Sequence, residues 1–463
     1  MTRMQQTISP VDGSVYVTRP LASGDEIQQT LTLAKSAQKS WASVALSERQ
    51  AMCSKAVDWF EANKAEIGQE ICWQMGRPIR YAQGEIAGLA ERARHMIAES
   101  DAALAAITLP DKPGFSRYIT REPVGVVAVI APWNYPYLTA INSIVPALLA
   151  GNSVILKHSA QTPLCAERLK SAFDAAGLPE GVFQFLHLTH EDTTKLIQSD
   201  AVNHVAFTGS VPAGAHVEQA AAGRFIGVGL ELGGKDPAYV REDADLDDAA
   251  DTVIDGAFFN SGQSCCGIER IYVHASVYDA FVEKAVAIVR QYKLGRPDEP
   301  GTTLGPLVRT SAADFVRGQI QEAIAQGAVA HIDEQAFPLS QAGSPYLAPQ
   351  ILTQVDHSMR VMHEESFGPV VGIMKVNSDE EAITLMNDSD FGLTASIFTR
   401  DIERGIALGQ QVETGTFFIN RCDYLDPALA WTGVKQSGRG CTLSALGFAA
   451  LTRPKSFHIK SLA

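Results

Sequence analysis

The run VGVVAVIAPWN, residues 124–134, decides the fold. Its first seven residues are apolar or glycine and mostly β-branched, the composition of a strand buried on both faces inside a parallel sheet. Asn134 then stands between this strand and Tyr135-Pro136, where a helix is predicted to begin. The same texture repeats downstream, with strands predicted at 153–157, 182–185, 204–207 and 226–230 and helices after Pro136, Pro163, Glu191 and Val211. The helix after Pro163 meets a stop at Gly177-Leu178-Pro179. Alternation of this kind predicts βαβ units and a doubly wound, Rossmann-like α/β sheet.

Working outward, residues 25–107 carry a helical pattern rich in Ala, Glu, Arg and Leu, which reads as scaffold rather than chemistry. Residues 234–436 form a second α/β stretch, with helices predicted at 277–291 and 310–326 and strands at 268–273 and 394–399. The tail Pro454-Lys455-Ser456-Phe457-His458-Ile459-Lys460 alternates imperfectly between polar and apolar, as an edge strand in need of a partner does. We expect residues 106–121 and 452–459 to form a sheet shared within a homodimer or homotetramer.

Composition excludes several classes. Of 463 residues, 46% are hydrophobic and 19% charged, the ordinary range of a globular protein. The net charge of −14 argues against nucleic acid or an anionic membrane as partner, since both need clustered Lys and Arg. No apolar run is long enough to span a bilayer, residues 1–13 have no apolar core of a leader, and the seven cysteines include no C-x-x-C pair. A cytoplasmic protein with reduced thiols and no metal ligand set is expected.

Three residues bear the marks of a reaction site. Cys265 lies in Asn260-Ser261-Gly262-Gln263-Ser264-Cys265-Cys266, where small residues admit a ligand and leave a thiol uncovered, although a cysteine by itself is more often a buried structural residue. Glu231 ends an apolar strand, where desolvation raises a carboxyl pKa toward that of a general base, the bland alternative being a cap or an ion pair. Asn134 can present its side-chain NH₂ to an oxyanion beside the backbone N–H of Cys265, whereas an Asn in a turn usually serves the turn. Gly209 and Gly214 read G-x-x-x-x-G, not G-x-G-x-x-G, yet stand between a strand and a helix, where backbone N–H groups meet a pyrophosphate.

Five segments in fixed order, Ala131-Pro132-Trp133-Asn134, Phe207-Thr208-Gly209-Ser210, Glu231-Leu232-Gly233-Gly234-Lys235, Gly262-Gln263-Ser264-Cys265 and Glu364-Glu365-Ser366-Phe367-Gly368-Pro369, resemble the aldehyde dehydrogenase superfamily. The likeness extends from Ser9-Pro10-Val11-Asp12-Gly13 to Ser437-Gly438-Arg439-Gly440. It implies oxidation of a small-molecule aldehyde to an acid with NAD or NADP as hydride acceptor. Cys265 would form a thiohemiacetal and then a thioester, Glu231 would activate the hydrolytic water, and Asn134 would steady the oxyanion. Cofactor contacts would come from Trp133, Lys157, Gly209, Ser210, Gly214, Leu232, Glu365 and Phe367, with Lys157 on the adenine ribose and Glu365 on the nicotinamide ribose. Tyr135, Arg421, Asp423 and Trp431 would line the substrate pocket, where Tyr135, Tyr137 and Trp431 suit an aromatic wall as well as Arg421 suits a carboxylate contact. The implied architecture is a dinucleotide-binding domain at 1–104 and 124–233, a catalytic domain at 234–442, and a small β oligomerisation flap at 105–123 and 443–463. Two rivals are a CoA-acylating enzyme, against which Glu231 argues, and an idle binding protein, against which Cys265, Glu231 and Asn134 argue together.

The chain also departs from the family pattern. After Lys157 it reads His158-Ser159-Ala160, without the carboxylate that many relatives offer to the ribose hydroxyls, so a 2′-phosphate is admissible and cofactor choice stays open. Lys157, and His158 if protonated, could offer charge to that phosphate; His158 could equally face solvent. Ala430-Trp431-Thr432-Gly433 replaces a usual Pro-Phe-Gly-Gly, and a customary Glu is replaced around Thr442, which alters the pocket wall and a proton route. The helix after Asn134 lacks the Arg of semialdehyde-oxidising relatives, its comparable stretch being Thr139-Ala140-Ile141-Asn142-Ser143, while Arg421 could meet a carboxylate.

Overall fold

A computed structural model of the chain describes residues 3–461. The strand Val126–Ala131 is buried at every position, as is its neighbour Ser153–His158, which is why both read as unbroken runs. They belong to a six-stranded sheet in the order Gly438–Arg439, Gly227–Glu231, Val202–Thr208, Val126–Ala131, Ser153–His158, Phe183–Phe185. All pairs are parallel except that of Gly438–Arg439. The first of these strands in the chain lies at the centre, the next two step to one side, and the chain then crosses to the other. The order is doubly wound, and its switch point falls between Ala131 and Thr208, where such sheets bind ligands.

The connecting helices Leu138–Leu149, Pro163–Ala175, His190–Gln198 and Val211–Ala221 stand where the sequence predicts them. Pro163 opens its helix and Gly177, at φ +82°, follows its end. Gly438–Arg439 comes from within 234–442 and yet joins this sheet. Gly438 is needed there, because its φ is +112° and a Cβ would stand 2.0 Å from the Leu230 carbonyl oxygen.

A second, seven-stranded sheet runs Val329–Ala330, Gln350–Thr353, Val370–Val376, Ile268–His274, Asp236–Val240, Thr394–Phe398, Thr416–Ile419. It is parallel apart from Val329–Ala330 and has its own core around Ile254, Phe258, Ile271 and Phe281. One feature departs from expectation and another meets it. Met4–Ile8 and Val15–Pro20 form a hairpin that was not foreseen. The tail Thr452–Lys460 finds its partner in its own chain, pairing along its whole length with Phe115–Pro123, which also holds Ile107–Thr108. No helix among the described residues is long and apolar enough to cross a membrane.

Candidate active site

The turn before Cys265 is strained. Helix Leu246–Phe258 ends, and Asn260, Ser261 and Gly262 follow with φ of +53°, +56° and +72°. Two non-glycine residues in the left-handed region persist only when their surroundings hold them. Asn260 Nδ2 donates to the carbonyls of Asn134, 3.3 Å, and Gln263, 3.2 Å, and the Ser261 hydroxyl donates to the Gly305 carbonyl, 2.9 Å. The turn leaves Cys265 half-buried against a cavity and Cys266 buried. Cys266 Sγ donates to Asp423 Oδ1 at 3.0 Å. Hydrogen bonding with Cys265, burial and the Asp423 charge push the Cys266 thiol well up. Asp423, which also accepts from the Ser264 hydroxyl at 2.8 Å, is itself pushed up to about 6 by burial.

Glu231, at the end of strand Gly227–Glu231, faces the same cavity. Burial raises its pKa, as expected, against the lowering effect of two hydroxyl donors: Thr442 Oγ1 on Oε1 at 2.5 Å and Thr208 Oγ1 on Oε2 at 3.0 Å. The altered C-terminal loop therefore acts on Glu231 directly. Thr442 is held by a two-bond bridge to Trp431, N to O at 2.9 Å and 2.8 Å, so the pocket wall and the base's partner move as one piece.

Asn134 is buried, and its Nδ2 donates to the Gln263 carbonyl at 3.2 Å, two residues before Cys265. Its own carbonyl accepts from Arg77 Nη2 at 2.6 Å, and Arg77 Nε donates to Asn260 Oδ1 at 3.2 Å. Arg77 is ion-paired with Glu85, both almost fully buried, and Glu85 Oε1 accepts the N–H groups of Tyr137, 2.9 Å, and Leu138, 3.0 Å. Residues 25–107 thus supply more than scaffold.

The groove at the switch point fits a dinucleotide. Ser210 precedes helix Val211–Ala221 without capping it, so the first-turn N–H groups are left for an anion. Gly214 packs so closely on Leu232 that a Cβ would stand 2.5 Å from its methyl, and Gly209 lies as near to the Phe207 ring. Glu365 accepts from Gly234 N at 3.0 Å and is pushed up to about 7, by burial and then by the Glu269 charge. Phe367 meets the Trp133 ring edge-on at 5.7 Å, and burial lowers the Lys157 pKa. His158 neither charges nor faces solvent: it is buried between the Pro136 carbonyl, 3.0 Å, and the Thr162 hydroxyl, 3.1 Å, and burial pushes it down to about 4.

The cavity between Cys265 and Glu231 measures about 180 Å³ and is walled by Tyr135, Trp431 and Asp423 as expected. Two expected residues are not in it. Arg421 is exposed, with its guanidinium 3.8 Å from the Tyr424 ring centroid, while Asp423, Tyr424 and Leu425 of the same loop line the cavity. Tyr137 is fully buried against Phe60, ring to ring at 5.4 Å. Among the lining residues not foreseen from the sequence are Arg92 and Asn142.

The aldehyde dehydrogenase family profile matches residues 2–457. A succinate-semialdehyde dehydrogenase [NADP(+)] of Deinococcus radiodurans is 33% identical over 97% of this chain and 93% of its own. An NADP-dependent glyceraldehyde-3-phosphate dehydrogenase of Streptococcus equinus is 35% identical over 97% and 94%. The structure of succinic semialdehyde dehydrogenase from Streptococcus pyogenes in complex with NADP+ superposes with TM-score 0.94 at 29% identity, over 98% of this chain and 100% of that one. The chain belongs to the aldehyde dehydrogenase family, enzymes that oxidise aldehydes to acids with a nicotinamide cofactor.

Removing Arg77 strands a buried carboxylate. Arg77→Met is expected to cost about 3–5 kcal/mol of stability, the usual penalty for breaking a buried pair by one partner. Urea unfolding measures it, and a loss below about 1 kcal/mol would show that the pair holds nothing.

Proposed function

We propose that the chain oxidises its aldehyde through a thioester on Cys265 and releases the acid by hydrolysis, with Glu231 as the base. The observation that carries this is the division within the vicinal pair: Cys265 opens on a cavity shared with Glu231, while Cys266 is buried as a thiol on Asp423. The Cys265 thiolate adds to the carbonyl carbon, forming the C–S bond and placing the π pair on oxygen. That oxygen is met by the Cys265 N–H and by Asn134, whose amide has a second hydrogen beyond the one given to Gln263. A nicotinamide cofactor, which Glu365 and Phe367 beside Trp133 would hold, would supply the hydride acceptor for this carbon. The oxygen pair then returns and leaves a thioester. Glu231 takes a proton from water, the water oxygen adds to the thioester carbon, and the C–S bond breaks to restore the thiolate. Desolvation makes Glu231 a stronger base than an exposed carboxylate, which favours water over coenzyme A as acceptor.

Cys265→Ser is expected to give no reduced cofactor while still binding it. Glu231→Gln is expected to give one burst and then stall with an acylated Cys265, because hydride transfer precedes the step that needs the base. Stopped-flow absorbance with mass spectrometry of the stalled protein reads both, and an unmodified Cys265 after a genuine burst would remove Glu231 from this role.

We propose further that NADP is accepted. Ala160 is exposed where a carboxylate would repel a 2′-phosphate, Lys157 lies at the end of the adjoining strand, and the relatives described above are named for NADP. His158, held neutral, takes no part. The kcat/KM for NADP is expected within about tenfold of that for NAD or above it; a preference for NAD beyond about a thousandfold, about 4 kcal/mol, would refute this.

We place the oligomer contact on the tail. Thr452–Lys460 has one edge on Phe115–Pro123 and ends its sheet with the other, and an open nine-residue edge with Ile459 exposed invites a second copy. A homodimer or homotetramer is expected at micromolar concentration in light scattering, where a stable monomer would refute it. A reducing cytoplasm suits the seven free thiols.

A further inference from the structure

Helix Gly84–Ala103 carries Arg92 into the wall of the reaction cavity, where it is 8% exposed and forms no ion pair among the described residues. A buried guanidinium without a carboxylate is unusual, since buried charges are normally paired. Every acidic group around it is already engaged. Glu85 is paired with Arg77, Glu231 takes Thr208 and Thr442, Asp423 takes Ser264 and Cys266, and Glu91 accepts the Tyr424 hydroxyl at 2.7 Å. Arg92 uses only Nη1, donating to the Leu138 carbonyl at 3.0 Å and Asn142 Oδ1 at 3.3 Å. Nε and Nη2 have no protein acceptor among the described residues.

Asn142 adds a second observation. It lies on helix Leu138–Leu149, lines the same cavity and is 1% exposed; its oxygen faces Arg92, and its Nδ2 is buried without any acceptor. A guanidinium edge and an orphan amide donor thus sit side by side in one wall. Both lack an acceptor, and together they match the two oxygens of a carboxylate.

We propose that Arg92 and Asn142 form a subsite for the distal carboxylate of the substrate, so that the enzyme prefers short aldehydes ending in a carboxylate. The inference rests on the reading of Cys265 as the nucleophile of that cavity. Volume sets the length: about 180 Å³ lies below the roughly 300–1,000 Å³ of sites for drug-sized ligands, which suits a chain of a few carbons. The carboxylate supplies the counter-charge that the fold withholds, and its anchoring to Arg92 fixes the aldehyde carbon relative to Cys265.

The test compares a four-carbon aldehyde ending in a carboxylate with butanal, and, without turnover, the binding of butanedioate with that of butanoate by calorimetry. Wild type is expected to favour the carboxylated member of each pair. Arg92→Met is expected to lower the kcat/KM ratio, carboxylated over neutral, by about 10- to 100-fold, equivalent to about 1.4–2.8 kcal/mol. Asn142→Asp keeps the guanidinium but gives it an internal counter-ion, and is expected to lower the same ratio if Arg92→Met fails to fold. A wild type without preference for either carboxylated ligand overturns the proposal. So does a variant in which both aldehydes lose equally, which would make Arg92 a partner of Glu231 and not of the substrate. Should no aldehyde be oxidised at all, the thioester reading fails, and the butanedioate titration still decides the subsite.

Discussion

Two loops near Cys265 are each held by a buried carboxylate that accepts two consecutive backbone N–H groups while a buried cation neutralises it. Glu85 does this for the turn after Pro132-Trp133-Asn134, taking the Tyr137 and Leu138 amides with Arg77 as its cation. Glu269 does it for the loop that carries Glu365 and Phe367, taking the Ser366 and Phe367 amides at 2.7 Å and 2.8 Å with Lys235 as its cation at 2.5 Å. Desolvating such a pair offsets most of its attraction, so neither is explained by stability alone. What both provide is position. A turn whose amides must reach one fixed carboxylate has little freedom, and Asn134 and Glu365 ride on turns of that kind.

The two clamps sit on different layers, and the reaction lies between them. Arg77 extends the first clamp across the boundary: one end takes Glu85, and the other takes the Asn134 carbonyl and the Asn260 side chain. The left-handed residues 260 and 261 are thereby tied to the turn that bears Asn134. Strain in the turn before Cys265 and placement of Asn134 are thus one constraint, and a shift in either turn would be felt by both. Thr442 brings a third element, because its bridge to Trp431 couples the cavity wall to Glu231.

Much of this was legible in the sequence where the reason for a residue is local. Val126–Ala131 announces itself by composition, Pro163 and Gly177 mark the ends of their helix, and the small residues before Cys265 reflect a turn that larger ones could not make. Residues whose reason is distant were not legible. Arg92 and Arg94 stand two positions apart in one Ala- and Glu-rich helix, roughly 200° around its axis from each other. Arg94 pairs with Asp58 and Glu61 at the surface, whereas Arg92 faces the cavity. Nothing near either in the sequence separates them. Arg421 erred in the opposite sense: it sits in a loop whose residues Asp423, Tyr424 and Leu425 line the cavity, while its own guanidinium packs on the Tyr424 ring.

The distribution of charge in the cavity follows from how each acid is satisfied. Glu231 meets neutral hydroxyls and keeps a raised pKa; a cation in hydrogen-bond contact would hold it down. Asp423 meets a hydroxyl and a thiol, and so restrains Cys266 instead of activating it. Only the acids of the clamps, Glu85 and Glu269, are given cations, and those acids do no chemistry. Arg92 stands outside this pattern as a buried cation in the reaction chamber with no acid of its own. Had the fold paired it with Glu231, the contact would have held that carboxyl's pKa down; keeping them apart leaves Glu231 raised by burial and one positive charge in the wall beside Cys265.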